Sequence, residues 1–194
     1  MRTFPHVQMR SLMEGATEAK ALFDNKQFDE AAAAYNTLLA KLSALGLKSP
    51  FLWWHLAIAL DYSGKVDHAF EACLKSVNED PLYAGPLNSF DIICSRLHER
   101  LLELVENDPR IPKWFGMLSK VGRVELDARL LMVRHLSAVG KAAEALRQAE
   151  ALTLLFEDSQ QAWQTLAALA RDAGLAERAA EAEATAQALG GITQ

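Results

Sequence analysis

The sequence predicts an all-α protein built from antiparallel helix hairpins packed one against the next. Three observations predict it. The 194-residue chain is rich in Ala, Leu, Glu, Gln, Arg and Lys, all good helix formers, and lacks alternating β-branched runs. Its six prolines and ten glycines fall mostly between apolar-periodic segments. The stretch "WWHLAIALDYSGKVDHAFEACL" also returns 110 residues later, so that Trp53, Leu56, Ala57, Gly64 and Ala69 align with Trp163, Leu166, Ala167, Gly174 and Ala179.

The first hairpin covers about residues 12–45, with Ala19, Leu22, Ala31, Tyr35 and Leu38 on its inner side and Lys26 at the turn. In the linker "LGLKSP", Gly46 ends one helix, Ser49 caps the next and Pro50 takes its first position. The second hairpin, 50–82, is the clearest. Trp53, Leu56, Ala57 and Leu60 share one face, Gly64 permits the left-handed residue that ends a helix, and Val66, Ala69, Phe70, Cys73, Leu74 and Val77 line the return.

Residues 84–122 depart from the pattern, because His98 stands where a turn glycine should fall. "NSFDIICSRLHERLLELVEN" reads as one long helix with its stripe at Phe90, Ile93, Leu97, Leu101, Leu104 and Val105. A short apolar helix, "KWFGMLSKVG", follows. This is a lengthened, non-standard hairpin, or alternatively a hinge between two repeat pairs. The fourth hairpin, 125–157, carries Met132, Val133, Leu136, Gly140, Ala145, Ala149 and Leu152. The fifth, 159–190, supplies Trp163, Leu166, Ala167, Ala170, Gly174, Ala179 and Ala186. Gly140 and Gly174 are 34 residues apart, and Lys26 precedes Gly64 by 38. Short hairpins of this kind bury their apolar stripes only by stacking on neighbours, so a single array over 1–194 is expected.

These residues and this spacing resemble the tetratricopeptide repeat. The resemblance implies a right-handed superhelical solenoid in which the first helix of each repeat lines a concave groove that receives extended or helical peptides. Carried over position by position, the groove candidates are Met13, Lys20 and Phe23, then Phe51, Trp54, Ile58, Asp61 and Tyr62, then Leu130 and Arg134, then Gln164 and Arg171. Some members clamp a terminal carboxylate through an Asn on successive first helices. Here the matching positions hold Thr17, His55, Leu131 and Thr165, so that clamp is not expected. Trp54 lies about 100° round the helix from Trp53. It reads either as an anchor for an apolar partner segment or as a packing residue that closes the groove against a neighbouring helix.

The formal net charge is −5 with no long run of one sign, which disfavours nucleic acid as a partner. No stretch approaches the roughly 18 apolar residues of a membrane span, and the N-terminal stretch has no apolar core of a secretory signal. Cys73 and Cys94 read as reduced, buried small hydrophobes, and a cytoplasmic location is expected. No Gly-rich phosphate loop, G-x-S-x-G or H-E-x-x-H is present. The five histidines form no i,i+4 pair on one helix face. No catalytic, cofactor-binding or metal-ligating residue is therefore expected, and the reading is a non-enzymatic adaptor or chaperone-like module with a protein or peptide partner. Two alternatives stand beside it. One is a homodimer formed through the Ala-rich helix "ERAAEAEATAQAL", with Ala179, Ala182, Ala186 and Leu189 as its stripe. The other is a regulatory arm of an enzyme, suggested by His98, Glu99, Asp108 and Trp114 in the central insert.

Overall fold

The computed structural model describes residues 6–82 and 84–191. Among these it holds no strand and ten helices: α1 (His6–Asp24), α2 (Phe28–Ala44), α3 (Pro50–Tyr62), α4 (Val66–Glu79), α5 (Ala84–Leu102), α6 (Ile111–Lys120), α7 (Leu126–Ala138), α8 (Ala142–Leu155), α9 (Gln160–Asp172) and α10 (Ala176–Gly190). The fold is all-α and tetratricopeptide-like, with α1–α2, α3–α4, α7–α8 and α9–α10 each paired through a tight turn. The chain divides into two compact units, Met1–Leu97 and His98–Gln194.

In the first unit, α2 packs on both α1 and α3, and α3 packs on α4. Small residues sit at the closest crossings: Ala19, Ala31, Ala57, Ala59 and Ala69 are fully buried. A Cβ added at Gly15 would come within 2.8 Å of Leu38, so α1 and α2 touch nearly backbone to side chain there. Tyr35, Leu56 and Phe70 fill the volume between these crossings.

The start of α3 is held twice. Ser49 Oγ accepts from the Leu52 N–H at 3.3 Å as an N-cap. Glu79, at the end of α4, accepts from the Ser49 N–H at 2.9 Å and from the Trp53 indole N–H at 3.1 Å. A single carboxylate thereby ties the last turn of one helix to the first turn of its partner.

The turns inside the hairpins share one hydrogen-bond pattern. At Gly64, Gly140 and Gly174 the glycine N–H donates to the carbonyl three residues back, and the next N–H donates to the carbonyl five residues back, as in Lys65 to Leu60 at 2.9 Å, Lys141 to Leu136 at 2.8 Å and Leu175 to Ala170 at 2.8 Å. Lys26 and Gln27 make the same two bonds to Phe23 and Leu22. Lys26 does so at φ 62°, the one non-glycine residue with positive φ among the described residues.

The second unit builds its core from α7, α8, α9 and α10. Leu130, Val133, Leu136, Ala145, Ala149, Leu152, Ala162, Leu166, Ala167 and Ala182 are buried together, with Phe156 and Trp163 half-buried against them. Ser159 caps α9 by accepting from the Ala162 N–H at 3.2 Å, the counterpart of Ser49. The stripe Ala179, Ala182 and Ala186 is buried and Leu189 half-buried, with α10 packed on α9. That stripe belongs to the fold of its own hairpin and is not a free face for a second copy.

The central helix begins and ends earlier than its apolar pattern suggests, at Ala84 and Leu102. It runs unbroken through His98 but ends at Leu102. Ile93, Leu97 and Leu101 are buried, whereas Leu104 lies half-buried in the following turn and Val105 is 67% exposed. Pro109 and the residue before it cannot continue a helix. Asp108 instead turns the chain toward α6, accepting from the Arg110 backbone N–H at 2.8 Å and from its guanidinium.

Cys73 and Cys94 are buried, and the Cys73 thiol contacts the Pro86 carbonyl at 3.5 Å. Burial, with the neighbouring Cys94 adding to it, pushes the Cys73 thiol up to about 12, which keeps it protonated and unreactive at neutral pH. Among the described residues, no helix is long and apolar enough to cross a membrane.

Candidate interaction surface

The sequence-derived groove residues fall into two sets, one in each unit. In the first unit, Phe23 at the end of α1 and Tyr62 at the end of α3 meet Phe28, which opens α2. The Phe23–Phe28 and Phe23–Tyr62 rings lie edge to face at 5.3 and 5.8 Å, and Phe28 stacks on Tyr62 at 5.0 Å. Tyr62 remains 59% exposed. About two to three turns earlier on α3, Phe51 leans on His55 at 4.0 Å, and His55 in turn borders Tyr35 and Trp54. Burial among these rings lowers the His55 pKa, and the Lys20 charge adds slightly in the same direction.

Trp54 is not an open anchor. Its indole N–H donates to Ser89 Oγ on α5 at 2.9 Å, and its ring lies so close to Gly85 that a Cβ there would meet it at 3.1 Å. The packing reading holds for this residue. Ile58 is half-buried. Asp61 is also engaged: its side chain is 8% exposed and pairs through Oδ2 with Arg96 of α5, while Oδ1 is buried without a partner. Burial pushes the Asp61 carboxyl up against the pull of Arg96. Lys20 pairs with Asp24 on its own helix. What this unit leaves open is narrower than the sequence suggests, chiefly Met13, Phe51 and Tyr62.

In the second unit a cleft of about 440 Å³ opens between α7 and α9. Val133 and Ala138 of α7 and Ala168 and Leu169 of α9 give it an apolar floor. Gln161, Gln164 and Thr165 of α9 border it with Arg134 of α7 and Glu106. Arg134 Nε donates to Glu106 Oε1 at 3.0 Å, so this rim is an ion pair and not a bare cation. Arg171 lies beside a second, smaller cleft, where it pairs with Glu183 of α10.

Leu130 does not line the cleft. It is 1% exposed and belongs to the core. Helix α7 packs on both α6 and α8, so more of its circumference is covered than a single apolar stripe implies. Sequence reasoning missed Gln161, Ala168 and Leu169 and placed Thr165 only by the clamp comparison, although Gln164, Thr165, Ala168 and Leu169 follow Gln161 at i+3, i+4, i+7 and i+8 on one helix face.

The four positions compared with the carboxylate clamp are occupied internally. Thr17 donates to the Met13 carbonyl at 2.9 Å and Thr165 to the Gln161 carbonyl at 2.8 Å, each one turn back. His55 Nδ1 does the same to the Phe51 carbonyl at 2.9 Å, and Leu131 is buried. None presents the amide such a clamp requires.

No protein-family model matches the sequence, and no curated protein does. Solved structures do match over nearly the whole chain. MamA from MSR-1 is 17% identical, covering 98% of this chain and 100% of that one, with a TM-score of 0.40. TTC0263, a thermophilic TPR protein in Thermus thermophilus, is 18% identical over 90% and 89%, with a TM-score of 0.42. YrrB, a TPR protein with an unusual peptide-binding site, is 15% identical over 94% and 91%, with a TM-score of 0.39. Likeness at this level carries no argument about function, and the repeat architecture rests on the spacing, turns and crossings of this chain itself.

Proposed function

We propose that the protein is a non-enzymatic interaction module of adaptor or chaperone type that seats a segment of a protein partner between α7 and α9. The observation supporting this is the cleft's make-up. Val133, Ala138, Ala168 and Leu169 offer an apolar floor, and the glutamines beside it can pair with a backbone. A peptide laid there buries apolar side chains and satisfies its own amides at the rim. In this reading the repeats run over 12–45, 50–82, 84–122, 125–157 and 159–190, and the first helix of each hairpin supplies the contact face. Met13, Phe51 and Tyr62 would offer apolar contacts on the first unit.

The test is affinity capture by the full chain from native lysate, repeated with Ala168→Trp, which fills the cleft from an exposed position. The partner should be retained by the parent and lost by the variant, with helicity by circular dichroism unchanged. Equal retention by both would overturn this seat.

A further inference from the structure

We propose that His98, Glu125 and Asp127 form a binding site for one divalent transition-metal ion of the zinc type. His98 comes from the last third of α5, and the two carboxylates flank the first residue of α7. One ligand atom from each of the three lies within 4.8 Å of the others. His98 Nε2 and Asp127 Oδ2 are 3.2 Å apart. Two ligands bound to one ion at about 2.0–2.2 Å, at tetrahedral or right angles, stand about 3.0–3.5 Å from each other. In this structure the two hydrogen-bond directly to each other, and at that spacing both can turn onto one ion without moving apart. Glu125 is exposed and its side chain does not cap the helix, which leaves it able to swing to the third position.

Asp127 is held for this role. Its Oδ1 accepts from the Ala128 N–H at 2.7 Å, which turns Oδ2 toward the imidazole. A helix N-terminus alone explains carboxylates at Glu125 and Asp127, since they complement the dipole. It does not explain why an imidazole from another helix is brought onto them. His98 is also the residue that replaces a turn glycine in the repeat pattern, so the lengthened helix places it there. One neutral imidazole with two carboxylates suits zinc and its neighbours better than magnesium or calcium, which favour all-oxygen sets. Water would fill the remaining positions. The ion would clasp α5 to the start of α7 and neutralise two carboxylates. Sequence reading expects no metal ligands because it searches for pairs on one helix face, and these three come from two helices.

The experiment is calorimetric titration of the chelator-treated full chain with Zn²⁺ alone, alongside thermal melts with and without it. One equivalent should bind in the micromolar range or tighter and raise the melting temperature. His98→Ala and Asp127→Asn should each weaken binding at least about tenfold, while His68→Ala, at an exposed histidine that also pairs with an aspartate, should not. Glu125→Gln, at an exposed side chain, serves if His98→Ala loses helicity. No micromolar binding, affinity unchanged in the ligand variants, or preference for Ca²⁺ would overturn the assignment.

Discussion

Trp53 and Trp163 occupy the same place in two hairpins. Each lies four residues after a capping serine whose carbonyl accepts its backbone N–H, at 3.2 and 3.3 Å, and each is half-buried. The indole partners differ, the Glu79 carboxylate in one and the Glu157 carbonyl in the other, and Lys75 Nζ lies 4.4 Å over the Trp53 ring. The equivalence extends four residues on, where Ala57 and Ala167 are both buried. Ala57→Leu and Ala167→Leu should therefore each overpack a helix crossing and cost roughly 1–3 kcal/mol in chemical denaturation. A parent-like midpoint for either would break the equivalence.

The four hairpin turns predict a pair of opposite effects. Lys26 adopts the left-handed conformation that glycine adopts at the other three. Lys26→Gly should stabilise by about 1 kcal/mol. Gly140→Ala should destabilise by about 1–2 kcal/mol through backbone strain, since an added Cβ there meets nothing within 4 Å. Denaturation midpoints moving in the same direction would contradict this.

Trp54 is a structural residue in this account. Trp54→Ala removes a half-buried ring and leaves the Ser89 hydroxyl without its donor, at a cost of about 2–4 kcal/mol. Ser89→Ala should cost about 1 kcal/mol. Equilibrium unfolding checks both, and a Trp54→Ala protein as stable as the parent would return the residue to the exposed surface.

The hairpins were legible because their signals are local: a 3.6-residue apolar period, a left-handed turn residue and a serine cap each act within a few residues. The interaction surface was less so. Phe23 and Tyr62 do meet, but through Phe28, which lies just past a turn. Trp54 and Asp61 are taken up by Ser89 and Arg96 of α5, about 35 residues away, and no periodicity reports such pairing. Leu130 was misplaced because α7 is covered by two neighbours. The end of α5 was overrun because Leu104 and Val105 continue the apolar period beyond Leu102, where the helix stops.

The half-buried His55 gives a pH signature. The His55 pKa is lowered in the folded chain, so the unfolded chain takes up the proton first as pH falls. This part of the stability is present above about pH 6.5 and is lost as pH falls from there through the folded pKa. Replacing the imidazole by a ring that does not titrate, His55→Phe, should flatten the dependence in that window. An unchanged slope in urea titrations across that window would contradict the burial of the ring.

The seat between α7 and α9 can be tested with a photo-crosslinking residue placed at Gln164, inside the cleft, or at Arg178, which pairs with Glu150 on the α8–α10 side of the same unit. A covalent adduct with a protein partner is predicted from position 164 and none from position 178. Adducts from 178 alone, or equally from both, would contradict it.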